Sequence, residues 1–317
     1  MRFNPRARLD RSRVKDVGGS GGAGGGLPGG RGRTIPIPGG AAGGGIGGIL
    51  IVILIVVLNQ CLAGGGGGGA GLPGAGGYSQ SRISDSEDSG RYDSCETGED
   101  ANDSADCRRV AVENSLTDFW EGELGGKFRP EQALVTFTGQ VNTGCGAASS
   151  AVGPFYCPTD ESIYLDSGFF EEVLERQLGG PEGGFVEAYV LAHEYGHHIS
   201  HLLGYFGQVR TQQGPQSDAV RLELQADCYA GMWAKHATQT EDAQGEVLIQ
   251  ELTEEDLDLA LAAAEAVGDD RIQEKAQGQV TEETWTHGSA AMRKKWFATG
   301  YQEGTIKACD TFAADRV

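Results

Sequence analysis

Apolar side chains recur at helical spacing through most of the chain after Cys107. Val112, Leu116, Phe119 and Trp120 would share one face of a helix within residues 107–124. The same spacing, bounded in places by serine, threonine or glycine, predicts further helices over about 169–178, 185–203, 217–236 and 253–268, and one in the tail 280–304.

Two stretches alternate as β-strands do, at 132–141 and 161–166. The residues between them, 144–158, are rich in glycine and proline and predict a loop. The expected fold class is therefore α+β and mainly helical, with a small β-sheet.

One long stretch breaks this pattern, because no charged residue occurs from Thr34 to Ser81. Its apolar core, Ile46–Leu58, gains an uncharged Gly/Ala flank that extends it to about 20 residues, enough to cross a bilayer. A cleaved signal peptide would start nearer the N-terminus. A buried soluble strand is the alternative, but nothing beside the run could form a core around it. We therefore predict a single transmembrane helix within residues 39–62.

Glycine composition limits where a core can form. The chain has 52 glycines, and 27 of them lie between Gly18 and Gly77. Such a stretch has few side chains to bury and loses much backbone entropy on ordering. The expected organisation is a basic, glycine-rich segment at 1–38, the anchor at 39–62, a glycine-rich and acidic linker at 63–106, and one folded domain at 107–317.

Charge is distributed unevenly along the chain. The net charge is −20, yet residues 1–33 hold eight basic and two acidic groups, a balance of +6 that leaves −26 for the remainder. By the positive-inside rule the N-terminus would be cytoplasmic and the acidic domain would lie outside the cell membrane. An acidic domain also argues against nucleic acid as a partner.

The cysteines fit an exported domain. Six remain when Cys61, beside the apolar run, is set aside, and an even number in such a domain indicates disulfides. A four-cysteine zinc site would need close CxxC pairs, which the sequence lacks. Two pairs share the same gap, so the preferred pairing among the fifteen that six cysteines allow is Cys95–Cys107, Cys145–Cys157 and Cys228–Cys309.

The stretch "LAHEYGHHIS" holds the clearest candidate chemistry. His193 and His197 are four residues apart, so on a helix both imidazoles face the same side and can bind one zinc ion. Glu194 is turned one step around the helix, where it can act on a water at the metal without binding the metal itself. This is the HExxH arrangement of zinc proteases. A chance match is the alternative, but the apolar face of the predicted helix argues against it.

A catalytic zinc site needs a third protein ligand. His201 is about 12 Å from His193 along a helix, and His198 points about 100° away from His197. The metzincin extension also fails, because Ser200 and Leu203 stand where it requires glycine and histidine.

The next predicted helix offers a carboxylate instead. Glu223 and Asp227 are four residues apart in "ELQADCYAG". Glu223 can be the third ligand, and Asp227 can accept a proton from the distal nitrogen of a ligand histidine. An acidic, solvent-facing surface is the alternative interpretation. The apolar neighbours of these carboxylates favour a packed helix and therefore the ligand role.

A series of ordered motifs resembles the bacterial putative neutral zinc metallopeptidase family. The resemblance covers about residues 108–312, whereas residues 1–105 match only in layout. It implies a zincin-like fold with zinc ligands His193, His197 and Glu223 and with Glu194 as acid/base. The motifs are "TGCGAASSAVGPFYCPTDESIYLD", "HEYGHH", "RLELQADCYAGMWA", "GDDRIQ", "THGSAAMRKKWF" and "CDTF".

These observations predict a membrane-anchored endopeptidase that uses one catalytic Zn²⁺ to cleave a peptide or protein substrate. His287 and Tyr195 are candidates to stabilise the oxyanion, and strand 161–166 or 132–141 could pair with an extended substrate. For His287 a packed or helix-capping role is the alternative. A zinc-binding interaction domain without protease activity is the second hypothesis, but it leaves Glu194 without a purpose. A disulfide domain with fortuitous histidines is the third, and it does not explain Glu223 and Asp227.

Overall fold

The computed structural model describes residues 1–19 and 88–317. The fold is mixed α+β and about half helical, with small sheets, as the sequence predicts. Its helices are α1 (Gly98–Asp103), α2 (Ala105–Leu124), α3 (Gly184–Leu202), α4 (Asp218–His236), α5 (Glu254–Ala266), α6 (Asp269–Gln277) and α7 (Ala290–Glu303), with a π-helical turn at Phe170–Glu175. Its strands are β1 (Arg2–Phe3), β2 (Val14–Gly19), β3 (Ala133–Thr138), β4 (Gln140–Thr143), β5 (Gly146–Ser149), β6 (Phe155–Cys157), β7 (Ser162–Asp166) and β8 (Ile249–Glu251).

The largest sheet has four strands in the order β2-β3-β7-β6. β2, β3 and β7 run parallel, and β6 pairs antiparallel with β7, so that β2 and β6 form the two edges. β3 and β7 are buried along most of their length, as expected for interior strands. Two-stranded pairs, β1–β8 and β4–β5, complete the strands of the described residues.

The packing of α3 against α4 places the candidate site. A side-chain carbon added at Gly196 would lie 2.9 Å from the backbone of Ala226, so only glycine permits the two helices to approach this closely. The start of α4 is set by a cap, because the side chain of Ser217 accepts a hydrogen bond from the backbone N–H of Val220. The close approach brings the histidines of α3 to the carboxylates of α4.

The predicted long helices are confirmed, but the loop prediction for 144–158 was wrong. This stretch contains β5 and β6, each of three or four residues. Strands that short give no clear alternation, and the surrounding glycine and proline residues suggested a turn. Helix α6 was also missed, because its nine residues are mostly polar. All three predicted disulfides are present in the structure.

Residues 1–19 and 88–106 both form part of the folded domain. Residues 1–19, expected as a separate cytoplasmic segment, supply the edge strand β2 and the strand β1 of the domain. Residues 88–106, expected as linker, contain α1 and the disulfide between Cys95 and Cys107. The described ranges include no helix long and apolar enough to cross a membrane, and the predicted span 39–62 lies outside them.

Candidate metal centre

Three potential metal ligands converge between α3 and α4. His193, His197 and Glu223 each offer one ligand atom, and these atoms lie within 4.8 Å of one another. The Nε2 atom of His193 is 3.2 Å from one carboxylate oxygen of Glu223, and the Nε2 atom of His197 is 3.5 Å from the other. All three side chains are buried. The structure therefore brings together the three residues that the sequence selected as ligands.

Asp227 fixes the orientation of one of these histidines. Its Oδ1 atom accepts hydrogen bonds from Nδ1 of His193 at 2.8 Å and from the hydroxyl of Tyr189 at 2.6 Å. With Nδ1 occupied in this way, Nε2 of His193 faces Glu223. A carboxylate behind a ligand histidine sets both the tautomer and the ring direction.

Arg293 of α7 completes this arrangement from behind. Its guanidinium donates to both carboxylate oxygens of Asp227, at 2.8 and 2.9 Å. Both side chains are buried, so each compensates the charge of the other where water cannot. This role was not predicted, because Arg293 precedes Lys294 and Lys295 and looks like part of an exposed basic run.

The protonation of these groups reflects their neighbours. Burial by itself would raise the pKa of Asp227, but Arg293 and His193 hold that pKa below its usual value. Burial likewise opposes ionisation of Glu223, yet the nearby histidines keep its pKa well below the usual value. Burial lowers the pKa of His193, whereas Asp227 and Glu223 raise it to about 10. A metal ion would therefore compete with a proton at His193.

Glu194 lies beside the three ligand residues but is not one of them. It is buried and lines the same cleft. Burial raises the pKa of its carboxyl, even though His193 and His197 favour the charged form and the backbone of Tyr156 provides a hydrogen bond. A carboxylate with a raised pKa holds a proton more readily than an ordinary one, as a general base requires.

The cleft in front of the site has a cavity volume of about 120 Å³. Its polar lining includes Glu194, His287, Arg293 and the three ligand residues. The other lining residues are mainly apolar or aromatic: Val152, Pro154, Phe155, Tyr156, Phe169, Tyr189, Val190, Phe206, Leu222 and Val267. An open cleft with a few convergent polar groups is the usual form of a binding site.

The comparison with known proteins decides the family. The sequence profile described as "Putative neutral zinc metallopeptidase" matches residues 1–312. The chain belongs to this family. The match begins at residue 1, so it includes the N-terminal residues for which the sequence motifs indicated only a similar layout.

Relatives of this family member occur in Mycobacterium tuberculosis and Escherichia coli. The chain is 54% identical over 224 residues to the uncharacterized protein Rv2575 of Mycobacterium tuberculosis, which covers 69% of this chain and 75% of the relative. It is 41% identical over 196 residues to the uncharacterized protein YpfJ of Escherichia coli K12, covering 60% of this chain and 64% of YpfJ. No solved structure matches the chain significantly.

The donor set of this family member fits zinc. Two imidazoles and a carboxylate, with space on the cleft side, are the ligands of a catalytic zinc site rather than of a closed structural one. The carboxylate of Asp227 behind His193 is the supporting contact that such a ligand needs. His193, His197 and Glu223 would hold the ion.

The two candidates for the oxyanion are separated by their positions. His287 lines the cleft, and its Nδ1 atom lies 3.4 Å from Asp269. The other oxygen of Asp269 accepts hydrogen bonds from the backbone N–H groups of residues 286–288, which fixes the loop before α7. Tyr195 is fully buried, and its hydroxyl lies 3.0 Å from that of Thr117, away from the cleft. The expectation for Tyr195 was wrong, because it lies on the opposite side of α3.

His198 and His201 do not join the metal cluster, as helix geometry predicts. The hydroxyl of Tyr156 lies 3.0 Å from Nδ1 of His198 and 2.9 Å from Nδ1 of His201. Nε2 of His198 also contacts the carbonyl of Arg129 at 2.7 Å. Burial lowers the pKa of His198 to about 4, so this ring is neutral near pH 7. Both histidines thus hold β6 against α3.

The expected substrate-pairing strands were also wrong. The predicted strands 132–141 and 161–166 correspond to β3 and β7, which have sheet neighbours on both sides. Within residues 1–19 and 88–317, β6 is one of the two edge strands of this sheet, and Phe155 and Tyr156 on it line the cleft. The sequence analysis missed this strand because it had assigned the stretch to a loop.

Proposed function

We propose that the protein is a zinc-dependent endopeptidase. The observation that carries the proposal is Glu194, a buried carboxyl that lines the cleft beside three ligand residues but does not belong to the cluster. A site built only to hold metal would need no such group. The family and the His/His/Glu donor set support the choice of zinc.

The chain's own residues would divide the reaction between them. A zinc ion held by the three ligands would supply Lewis-acid activation of a water molecule and of the peptide carbonyl. Glu194 would accept the proton of the attacking water and then donate it to the leaving amine. Asp227 would keep His193 in the orientation that directs Nε2 toward the ligand cluster.

His287 would stabilise the negative charge that develops on the carbonyl oxygen. Burial lowers its pKa, but Glu223 and Asp269 raise it above the usual value, so the ring can carry a proton toward the cleft. Such a donor, fixed before the reaction, lowers the cost of the tetrahedral intermediate. Asp269 would position the ring through the contact with Nδ1.

An extended peptide would bind along β6. Among the described residues no strand pairs with the outer edge of β6 beside the cleft, and main-chain pairing with such an edge is a common mode of peptide binding. Tyr156 connects the strand to His198 and His201 on α3, and so keeps the edge at a fixed distance from Glu194. The apolar wall of the cleft would receive side chains of the substrate.

The test compares the intact wild-type chain with the Glu194→Gln variant. We expect both to hold zinc and only the wild type to cleave an unstructured protein, with a loss of about 10²–10⁴-fold in the variant, the range typical of a general base. Glu182→Gln, which alters a carboxyl outside the site, is the matched control and should cleave normally. A wild type that binds zinc but cleaves no member of a diverse peptide library would favour the non-proteolytic binding domain instead.

Attachment to a membrane through residues 39–62 remains a prediction from the sequence. These residues lie outside the described ranges.

A further inference from the structure

Residues 1–19 are integrated into the domain formed by residues 88–317. Phe3, Ala7 and Val14 are buried in its main hydrophobic core. The backbone of this segment is hydrogen-bonded to the domain in several places: Asn4 to Leu248, Ala7 to Gly98, Leu9 to Glu96, Arg13 to Leu134 and Asp16 to Ser89. A segment held only by loose contact would not bury its apolar residues and satisfy its backbone in this way.

The domain is shaped to receive this segment. A side-chain carbon at Gly98 would lie 2.0 Å from the carbonyl oxygen of Asn4, so the segment fits only against a glycine. The side chain of Asn102 accepts from the backbone N–H of Phe3 at 2.9 Å and donates to its carbonyl at 3.0 Å. Gly98 and Asn102 both lie in α1, so the first few residues of the chain complete the packing around this helix.

Two charged residues of the segment have buried partners. Arg13 donates to Glu113 of α2 at 3.0 Å, and the side chain of Glu113 is fully buried. Asp16 of β2 is itself buried and accepts from Thr136 at 2.8 Å and from Ser89 at 2.6 Å. Without Arg13, Glu113 would keep only uncharged donors in a place without water. These are the contacts of a permanent part of the domain.

We propose that residues 1–19 and residues 88–317 fold as one unit in a single compartment. A bilayer between them would break every contact described above. The topology predicted from the sequence, with the N-terminus inside and the domain outside, is therefore incompatible with the folded state. The inference concerns the sides on which the two parts lie, and it does not depend on the proposed peptidase activity.

The test uses the strand pair β1–β8 in the full chain. Arg2 and Glu251 are partners across this pair, and their side chains are 62% and 54% exposed, so cysteine at both positions leaves the core intact. The Cys61→Ser background removes the cysteine outside the disulfide pairs. The chain is first treated with a short bis-maleimide. A specific protease then cuts it at a site inserted after Gly69, between the two parts.

On a denaturing gel after proteolysis, we expect the Arg2→Cys/Glu251→Cys chain to run as one band, whereas each single-cysteine chain gives two fragments. In intact cells, a membrane-impermeant maleimide should treat positions 2 and 251 alike, labelling both or neither. Labelling of one position and protection of the other would overturn the proposal. Equal labelling without a cross-link would also overturn it, because the two parts would then share a compartment without docking.

Discussion

Helix α3 lies between two buried clusters that each contain carboxyl groups and one arginine but differ in protonation. On one side, Asp227 is paired with Arg293 behind the metal ligands. On the other, Glu113 is paired with Arg13 beside Glu131 and Tyr195. The arginine of the first cluster comes from α7, within the domain, whereas that of the second comes from the N-terminal segment.

The two clusters differ in how they hold their protons. Arg293 and His193 keep the pKa of Asp227 low in spite of its burial. Burial and the neighbouring Glu113 raise the pKa of Glu131 well above its usual value, and Arg13 offsets this only in part. One cluster is therefore an ionised support for metal ligands, and the other contains a neutral acid. Burial alone does not set the state of a carboxyl; the number of cations beside it does.

Arg293→Gln should have the largest effect on stability. It leaves Asp227 ionised and buried without its cation, which we expect to cost about 3–5 kcal/mol in the free energy of unfolding. Adding Asp227→Asn should restore part of the stability but lower zinc affinity about 10–100-fold, since His193 loses its carboxylate acceptor. Denaturant unfolding and chelator competition measure the two quantities. Full zinc affinity in the double variant would show that Asp227 does not support metal binding.

Arg13→Gln should destabilise by about 3 kcal/mol, the lower end of the range for a buried pair, because its side chain is 24% exposed. Adding Glu113→Gln to this variant should restore stability without changing zinc affinity. In the cluster on the other side of α3, the second substitution lowers zinc affinity. Arg6→Gln is the matched control, since Arg6 is 77% exposed and should contribute less than about 1 kcal/mol. Equal losses in the two arginine variants would contradict a docked N-terminal segment.

Glu131→Gln should have a smaller effect that depends on pH. The raised pKa means that Glu131 still holds its proton in the folded state at a pH where the unfolded chain has released it. The free energy of unfolding therefore falls as pH rises above the unfolded pKa of this residue. The variant removes that dependence, and we expect it to gain stability over the wild type at neutral pH but not below pH 4. Unfolding curves at several pH values measure the difference. A larger gain in stability at acidic pH than at neutral pH would contradict a protonated Glu131 in the folded state.

The metal ligands could be predicted from the sequence because they depend on local geometry. His193 and His197 are related by one helical turn, and Glu223 and Asp227 by another, so helix periodicity alone places each pair on one face. The disulfide pairing was also accessible, since equal spacings suggested two of the three bridges.

The remaining features depend on contacts between distant parts of the chain. Arg293 meets Asp227 across 66 positions, and nothing in the sequence around it distinguishes a buried arginine from an exposed one. Arg13 meets Glu113 across 100 positions, and the glycine-rich stretch between them suggested separation rather than contact. β6 was hidden by its length of three residues. No local periodicity reports such pairings.

The zinc content of the purified intact chain shows whether His193, His197 and Glu223 form a metal site. We expect one tightly bound zinc ion per wild-type chain, the same content in Glu194→Gln, and loss of the ion in Glu223→Gln, with all three measured by elemental analysis after dialysis. Glu223→Gln removes the only carboxylate of the ligand cluster. A wild-type chain without stoichiometric zinc, or full zinc retention in Glu223→Gln, would contradict the account.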